Sequence, residues 1–269
     1  MPKIHATAII DPGAKIAESA EIGPYTVIGG EVEIGENTVI GPSCLIEFTK
    51  IGKNNQITGH VFLGTPPQDY KYHGEKTYLE IGDNNFIREG VSMHRGSPLT
   101  GLTKVGSGCF FMANSHVGHD CRLGDNIVMV NSAAAAGHTH IDNNALISGL
   151  VGIHQFTRIG KFAMLSGGSM ANQDIIPYVI AQGDRARPVG LNVVGLKRNG
   201  FKPETIKAIK YVFKTLFYKG LRMEEALEKL SKEDLPQEAK DILVFCKGTK
   251  RGIARPKQGI ANRGEGIEQ

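Results

Sequence analysis

An apolar residue returns at every sixth position through most of the first two-thirds of the chain. The beat begins at Ile4 and runs through Ile10, Ile16, Ile22, Ile28, Ile34, Ile40 and Ile46. It slips by one residue, resumes at Ile51, Ile57 and Leu63, and returns at Ile81, Ile87 and Met93. From Val105 it continues without a gap through Phe111, Val117, Leu123, Met129, Ala135, Ile141, Ile147, Ile153, Ile159, Leu165 and Ala171. An amphipathic helix would need spacings of three and four, which these segments lack. Gly often follows the apolar position, as in Ile22-Gly23, Ile34-Gly35, Ile81-Gly82 and Ile159-Gly160. Asn and Asp crowd the next positions, from Gly82 to Asn85 and from Gly124 to Asn126. Those residue types suit corners that need positive φ. The pattern predicts a short strand, a corner and a short strand, many times over.

Three such hexads close a triangular coil of about 18 residues, the hexapeptide form of parallel β-helix. Coils of this kind stack at the ~4.8 Å spacing of neighbouring strands. A loop-rich β-sandwich is the alternative, but its strands would not hold one phase for so long. The period does not decide the hand, and parallel crossovers are usually right-handed.

Two breaks in the beat, Thr65 to Glu80 and Gly96 to Lys104, predict loops ejected from the coil. Exposed loops on a rigid scaffold often carry function, although either could be a passive insertion. After Pro188 the texture changes. A helix is expected from Pro203 to a stop at Gly220, with Ile206, Ile209, Phe213, Leu216 and Phe217 on one face. Shorter helical patterns follow from Met223 to Leu230 and from Pro236 to Cys246. The expected organisation is a β-helix over residues 1–187, a helical region over 188–247, and a basic, poorly ordered tail over 248–269.

Composition narrows the class without naming it. Hydrophobic residues at 41% and charged residues at 22% are ordinary for a soluble chain of 269 residues. A net charge of +4 is too small to point to nucleic acid. Cys44, Cys109, Cys121 and Cys246 lack metal-ligand spacing and fit a reducing compartment. No window is long and apolar enough for an integral membrane segment, and Met1 to Asp11 does not read as a signal peptide. A cytoplasmic enzyme or scaffold is expected.

Histidines supply the candidate chemistry. His94, His116, His119, His138 and His154 cluster in one stretch, with His140 nearby. Across an 18-residue coil His119 falls over Gly137, which falls over Gln155, while Asp120 falls over His138. One ridge would therefore carry imidazoles, a carboxylate, an amide and a bare glycine backbone. An imidazole can take a proton from a hydroxyl, and Asp120 or another acceptor can fix its tautomer. The N–H of Gly137 can face an oxyanion. This set suits acyl transfer by direct attack, without a protein nucleophile. Two other readings compete: solvated corner histidines, and zinc held by imidazoles of adjacent coils.

The motifs then become specific. QDYKYHGE (Gln68 to Glu75), IREGVSMHRG (Ile87 to Gly96), NSHVGHDC (Asn114 to Cys121), AGH (Ala136 to His138) and VGIHQF (Val151 to Phe156) occur in that order. IPYVIAQGD (Ile176 to Asp184) and GLNVVGLKRNGF (Gly190 to Phe201) follow. Together they resemble the UDP-N-acetylglucosamine O-acyltransferase family over about residues 1–250, which acts at the first step of lipid A biosynthesis. The resemblance implies a left-handed β-helix, a homotrimer, and transfer of a β-hydroxyacyl chain from acyl carrier protein to the sugar nucleotide. It implies no cofactor and no metal, the phosphopantetheine thioester of the carrier protein being a co-substrate. That no further domain precedes the β-helix is expected to separate the chain from the later N-acyltransferase.

The resemblance also assigns roles. His119 matches the family's general base, Asp120 its neighbour and Gly137 the oxyanion donor. Asp69 and Lys71 match residues that hold substrate and the acyl-pantetheine arm. His94, His116, His138, His154 and Gln155 match substrate contacts along a groove. Asn192 and Arg198 match nucleotide contacts, and Gly167 the position that sets acyl-chain length. Val194 and Asn199 stand where some members carry Glu and Arg, which puts any nucleotide contact through those side chains in doubt. A basic run including Lys197, Lys202, Lys207, Lys210 and Lys214 fits docking of an acidic carrier protein or simply a solvated face. Acyl-chain length, a 3-hydroxyl or 3-amine acceptor, and the subunit supplying each contact stay open. The rivals are an acetyl-CoA-dependent hexapeptide acyltransferase on another small acceptor, a non-catalytic scaffold and a zinc hydratase.

Overall fold

The computed structural model describes residues 1–257 of the chain. Strands of mostly two residues stack into three sheets of eleven, nine and eight strands, which form the faces of a triangular solenoid. Face A includes Phe110–Phe111 and Val128–Met129, face B His116–Val117 and Ala134–Ala135, and face C Arg122–Leu123 and His140–Ile141. Pairing is parallel, and a plain coil brings together residues 18 apart, such as Phe111 with Met129 and Val117 with Ala135. The expected beat and the observed strands coincide: each repeating apolar residue lies in a strand, as its second residue or, at Ile51, Ile81 and Val105, as its last.

The repeating residue points inward. From Ile22 to Ala171 every member of the beat is buried, and Ile28, Ile40, Ile87, Met129 and Ile147 are sealed at 2% exposure or less. At the first coil Ile4 stays exposed, because nothing stacks below it. The corners take the left-handed backbone that the Asn-rich positions suggested, with Asn37, Asn54, Asn84, Asn126 and Asn144 at positive φ.

The outward residues differ by face. Face C shows Lys15, Glu33, Lys50, Glu80 and Lys104 in succession. Face A shows Phe86, Phe110, Val128, Leu146 and Met164. The lower part of face B shows Ile9, Val27, Leu45 and Phe62. Two faces thus present apolar ladders and one is charged.

Both breaks in the beat are ejected loops. The first leaves face B after Thr65 and rejoins face C at Tyr78, and the second leaves after His94 and rejoins at Leu102. Beyond the last coil, Val179–Gln182 pairs antiparallel with Arg187–Leu191, so the expected boundary near 187 falls inside a hairpin. Four helices follow: α1 (Val193–Arg198), α2 (Pro203–Tyr218), α3 (Met223–Ser231) and α4 (Gln237–Lys247). The short α1 was not foreseen. The Arg158 guanidinium lies 4.1 Å from the Phe245 ring centre and donates to the Phe245 carbonyl, which ties α4 to face C.

The expected disorder from residue 248 is corrected for the start of that segment. Ile253 and Ala254 are buried, Thr249 donates to Asp174, and the Ala254 N–H donates to the Asp174 carbonyl. These contacts give the backbone partners that a free tail would find in water. Residues 258–269 lie outside the described residues.

Close packing of the inward column sets the cost of disturbing it. Ile147→Ala should lower stability by about 2–5 kcal/mol in denaturant unfolding, as buried large-to-small changes do. An unchanged midpoint would mean that the column is not the core.

Candidate active site

The corner between faces B and C gathers the candidate catalytic groups. Three successive coils place Asp120, His138 and Phe156 there, all at positive φ. The Asp120 carboxylate is buried, and its Oδ2 accepts a 2.6 Å hydrogen bond from Nδ1 of His119. Its Oδ1 accepts from the Ser97 N–H at 3.0 Å and from the Thr100 hydroxyl. Burial alone would push this carboxyl up, but the bonds from His119, Thr100 and Ser97 outweigh it and hold the group at about 2. An ionised carboxylate only accepts, so Nδ1 of His119 carries the proton and Nε2 is left as the basic nitrogen.

That nitrogen lies over Gly137. A Cβ built on Gly137 would stand 2.6 Å from His119 Nε2, so only glycine leaves the space free. A Cβ on Gly118 would in turn stand 2.8 Å from the Gly137 nitrogen. Among the described residues no backbone carbonyl accepts the Gly137 N–H. A base and an unpaired donor therefore share one small volume that two glycines keep open. Gly118 was missed from the sequence, because a residue that acts by omission has no chemical signature.

The volume opens into a cavity of about 660 Å³ on face B. His94, His116, His119, Gly137, His154 and Gln155 line it together with Gln68, Met170, Asp184 and Arg185. Burial, reinforced by the charges that His116, His119 and Arg95 can carry, drops the His94 imidazole to about 4. His94 is thus neutral at pH 7, and its buried Nδ1 has no partner among the described residues. Burial and His119 also lower His116, whose Nδ1 lies 2.9 Å from the Ser92 hydroxyl. A larger concavity of about 920 Å³ runs along face C, but lysines and carboxylates line it and it holds no imidazole.

The remaining expected residues are placed less uniformly. His138 does not line the cavity: its Nε2 sits 3.5 Å from Asp120 Oδ2 and its ring stacks on Phe156 at 4.4 Å. Within this chain its contacts are therefore with the carboxylate and with the Phe156 ring. Asp69 and Lys71 occupy the first loop in a turn closed by the Lys71 N–H on Asp69 Oδ1, and their neighbour Gln68 reaches the cavity. The buried Arg95 pins that loop by donating to the Tyr72 hydroxyl and to the Gly64 carbonyl. The Asn192 amide caps α1, accepting from the Gly195 N–H and donating to the Phe162 carbonyl. Asn192 and Arg198 do not line the cavity, and Gly167 lies at the corner between faces A and B, at the other edge of face B.

Two alternative chemistries fit poorly. Burial pushes the Cys121 thiol, next to Asp120, up to about 12, which leaves it no thiolate at pH 7. His119, Asp120 and His138 offer three atoms close together. The 2.6 Å separation of the first two is a hydrogen bond's, whereas two ligands of tetrahedral zinc at 2.0–2.1 Å stand roughly 3.3 Å apart.

Comparison with known proteins now decides the family. Residues 174–254 match the family model described as UDP N-acetylglucosamine O-acyltransferase, domain 2, and residues 13–47 match bacterial transferase hexapeptide repeats. The chain is 45% identical over 264 residues to an acyl-(acyl-carrier-protein)–UDP-N-acetylglucosamine O-acyltransferase of Burkholderia orbicola, covering 95% of this chain and 100% of that one. The chain belongs to the UDP-N-acetylglucosamine O-acyltransferase family. A relative of the same name from Myxococcus xanthus is 46% identical, again over 95% and 100% of the two chains. The solved UDP-N-acetylglucosamine acyltransferase of Francisella novicida is 41% identical with a TM-score of 0.91, covering 95% of each chain. As in this family, the solenoid is a left-handed β-helix, against the usual hand of parallel crossovers.

The shifted groups fix an acid response. His94 and His116 titrate lower folded than unfolded, so the stability they carry is present above about 6.5 and falls as pH drops below it, for His94 down to about 4. Asp120 adds stability that is present above about 4 and lost as pH falls through about 2. His94→Gln should flatten the upper part of a stability–pH curve and Asp120→Asn the lower part. Unchanged slopes in chemical unfolding would contradict these assignments.

Proposed function

We propose that the chain transfers a β-hydroxyacyl group from the thioester of acyl carrier protein to the 3-hydroxyl of UDP-N-acetylglucosamine, the first step of lipid A biosynthesis. One observation carries the reading: the free Nε2 of His119 lies over the open Gly137 amide, with Nδ1 held by an ionised Asp120. Family membership supports the substrates, since the relatives are named for that acceptor and that donor.

His119 Nε2 takes the proton of the sugar 3-hydroxyl as the oxygen attacks the thioester carbonyl carbon. The negative charge moves to the carbonyl oxygen, where the Gly137 N–H stabilises it. The C–S bond then breaks, and the carrier thiolate leaves with the proton from His119. Asp120 keeps the ring in one tautomer and faces the imidazolium throughout. No covalent acyl-enzyme is required, in keeping with the protonated Cys121 thiol. His94, His116, His154 and Gln155 contact substrate along the cavity, with the neutral His94 free to pair with a substrate hydroxyl or carbonyl.

Asp69 and Lys71 guide the donor arm from the first loop. Asn192, Arg198 and Gly167 join the site across a subunit boundary in a homotrimer. The apolar ladders of faces A and B support that assembly, because outward-facing, partly exposed apolar strips on two different faces suit a heterologous contact that closes into a ring. Exposed Lys207, Lys210 and Lys214 on α2 suit docking of the acidic carrier protein. The small Gly167 leaves room for a longer acyl chain.

Two measurements test this reading. His119→Ala should lose about 10²–10⁴ in turnover with both substrates while remaining folded, the usual cost of a missing general base. An active variant would remove the assignment. Phe110→Glu should convert a trimer into smaller species in light scattering, and a trimer of full stability in that variant would exclude face A from the contact.

A further inference from the structure

The second ejected loop does more than leave the coil. Gly96 lets the chain turn sharply, since a Cβ there would stand 2.1 Å from the Leu102 nitrogen. The Gly101 N–H closes the loop on the Ser97 carbonyl at 2.7 Å. This turn aims the Ser97 N–H and the Thr100 hydroxyl at Asp120 Oδ1. The Leu102 carbonyl also lies 3.1 Å from the Thr100 oxygen, but the hydroxyl has one hydrogen and the ionised carboxylate is the stronger acceptor.

Asp120 needs such a hold because two imidazoles compete for its other oxygen. His119 Nδ1 is 2.6 Å from Oδ2, and His138 Nε2 is 3.5 Å from the same atom. The terminal torsion of aspartate is broad, so little in the side chain itself keeps Oδ2 turned toward His119. We propose that Thr100 is a positioning residue whose hydroxyl, with the Ser97 amide, locks the carboxylate in the rotation that orients His119. The inference rests on His119 as general base and adds a part of the apparatus that lies outside the cavity.

The groups that face the pair bear on its pH dependence. Asp120 meets His119, His138, Ser97 and Thr100, and its own amide donates to the Thr103 hydroxyl. His94 and His116 face His119 from face B, and Asp69 faces His138 from the first loop. Of these groups only Thr100 itself is changed by a substitution there. Without the hydroxyl, the carboxylate is free to turn between the two imidazoles, so the His119 imidazolium loses part of its partner and the base is freed at lower pH.

The test compares Thr100→Val, Thr100→Ala, Thr100→Ser and His119→Ala in the full chain. Steady-state rates are measured with β-hydroxyacyl carrier protein and UDP-N-acetylglucosamine across pH. Val and Ala should lower kcat on the order of 10- to 100-fold, the loss of one hydrogen bond to a charged group, with KM little changed. The acid limb of both profiles should move to lower pH, and Ser should restore rate and limb together. Wild-type kcat and an unmoved limb in Val and Ala, beside an inactive His119→Ala, would overturn the role of Thr100 alone. So would Ser falling as far as Ala. An active His119→Ala would instead remove the base assignment, and this inference with it. Should Val fail to fold, Ala, which adds no bulk, decides.

Discussion

In a parallel solenoid the nearest neighbour of a residue is the one a full coil away, and the spacing between strands allows only one such neighbour on each side. Inward columns of Ile, Val, Leu and Met fill the triangular section, and each buried member holds the phase of the next. A slip of one residue would turn the whole column outward. Register is therefore held all along the chain. The same constraint that packs the core also stacks the corners, so side chains there meet their partners at a fixed distance on a rigid support.

The proposed catalytic corner uses that rigidity in two ways. It brings a base to the backbone amide of the next coil, with glycine at 118 and 137 keeping the space between them open. It also buries a carboxylate that would be costly to ionise alone and surrounds it with donors, which hold its pKa at about 2 and keep it charged near neutral pH. The charge of Asp120 is in turn what settles the tautomer of His119. Burial acts in the opposite sense on His94, which is kept neutral where a positive charge would compete with the base. One scaffold thus keeps the carboxylate of Asp120 charged and the imidazole of His94 neutral at pH 7.

Much of this was legible in the six-residue period. Once the phase was known, His119 over Gly137 and Asp120 over His138 followed from counting, and the coordinates keep both relations. What escaped lies where the period stops. Thr100 and Arg95 act from ejected segments, whose path depends on local turns and not on stacking. The hairpin after the last coil and α1 obey no six-residue beat. Ile253 and Ala254 dock a tail that reads as solvated, because two apolar residues carry no pattern. Asn192, Arg198 and Gly167 were assigned by resemblance and stand apart from His119 in one chain, since a single solenoid has no reason to gather residues from its other corners.

The central claim is that His119 and Gly137 act on one bound acyl group from opposite sides of its carbonyl. A crystal structure with the acylated sugar nucleotide bound tests it most directly. The sugar O3 should lie within about 3 Å of His119 Nε2 and the acyl carbonyl oxygen within about 3 Å of the Gly137 nitrogen. A product whose ester sits away from that corner, with another donor on its carbonyl oxygen, would contradict the account.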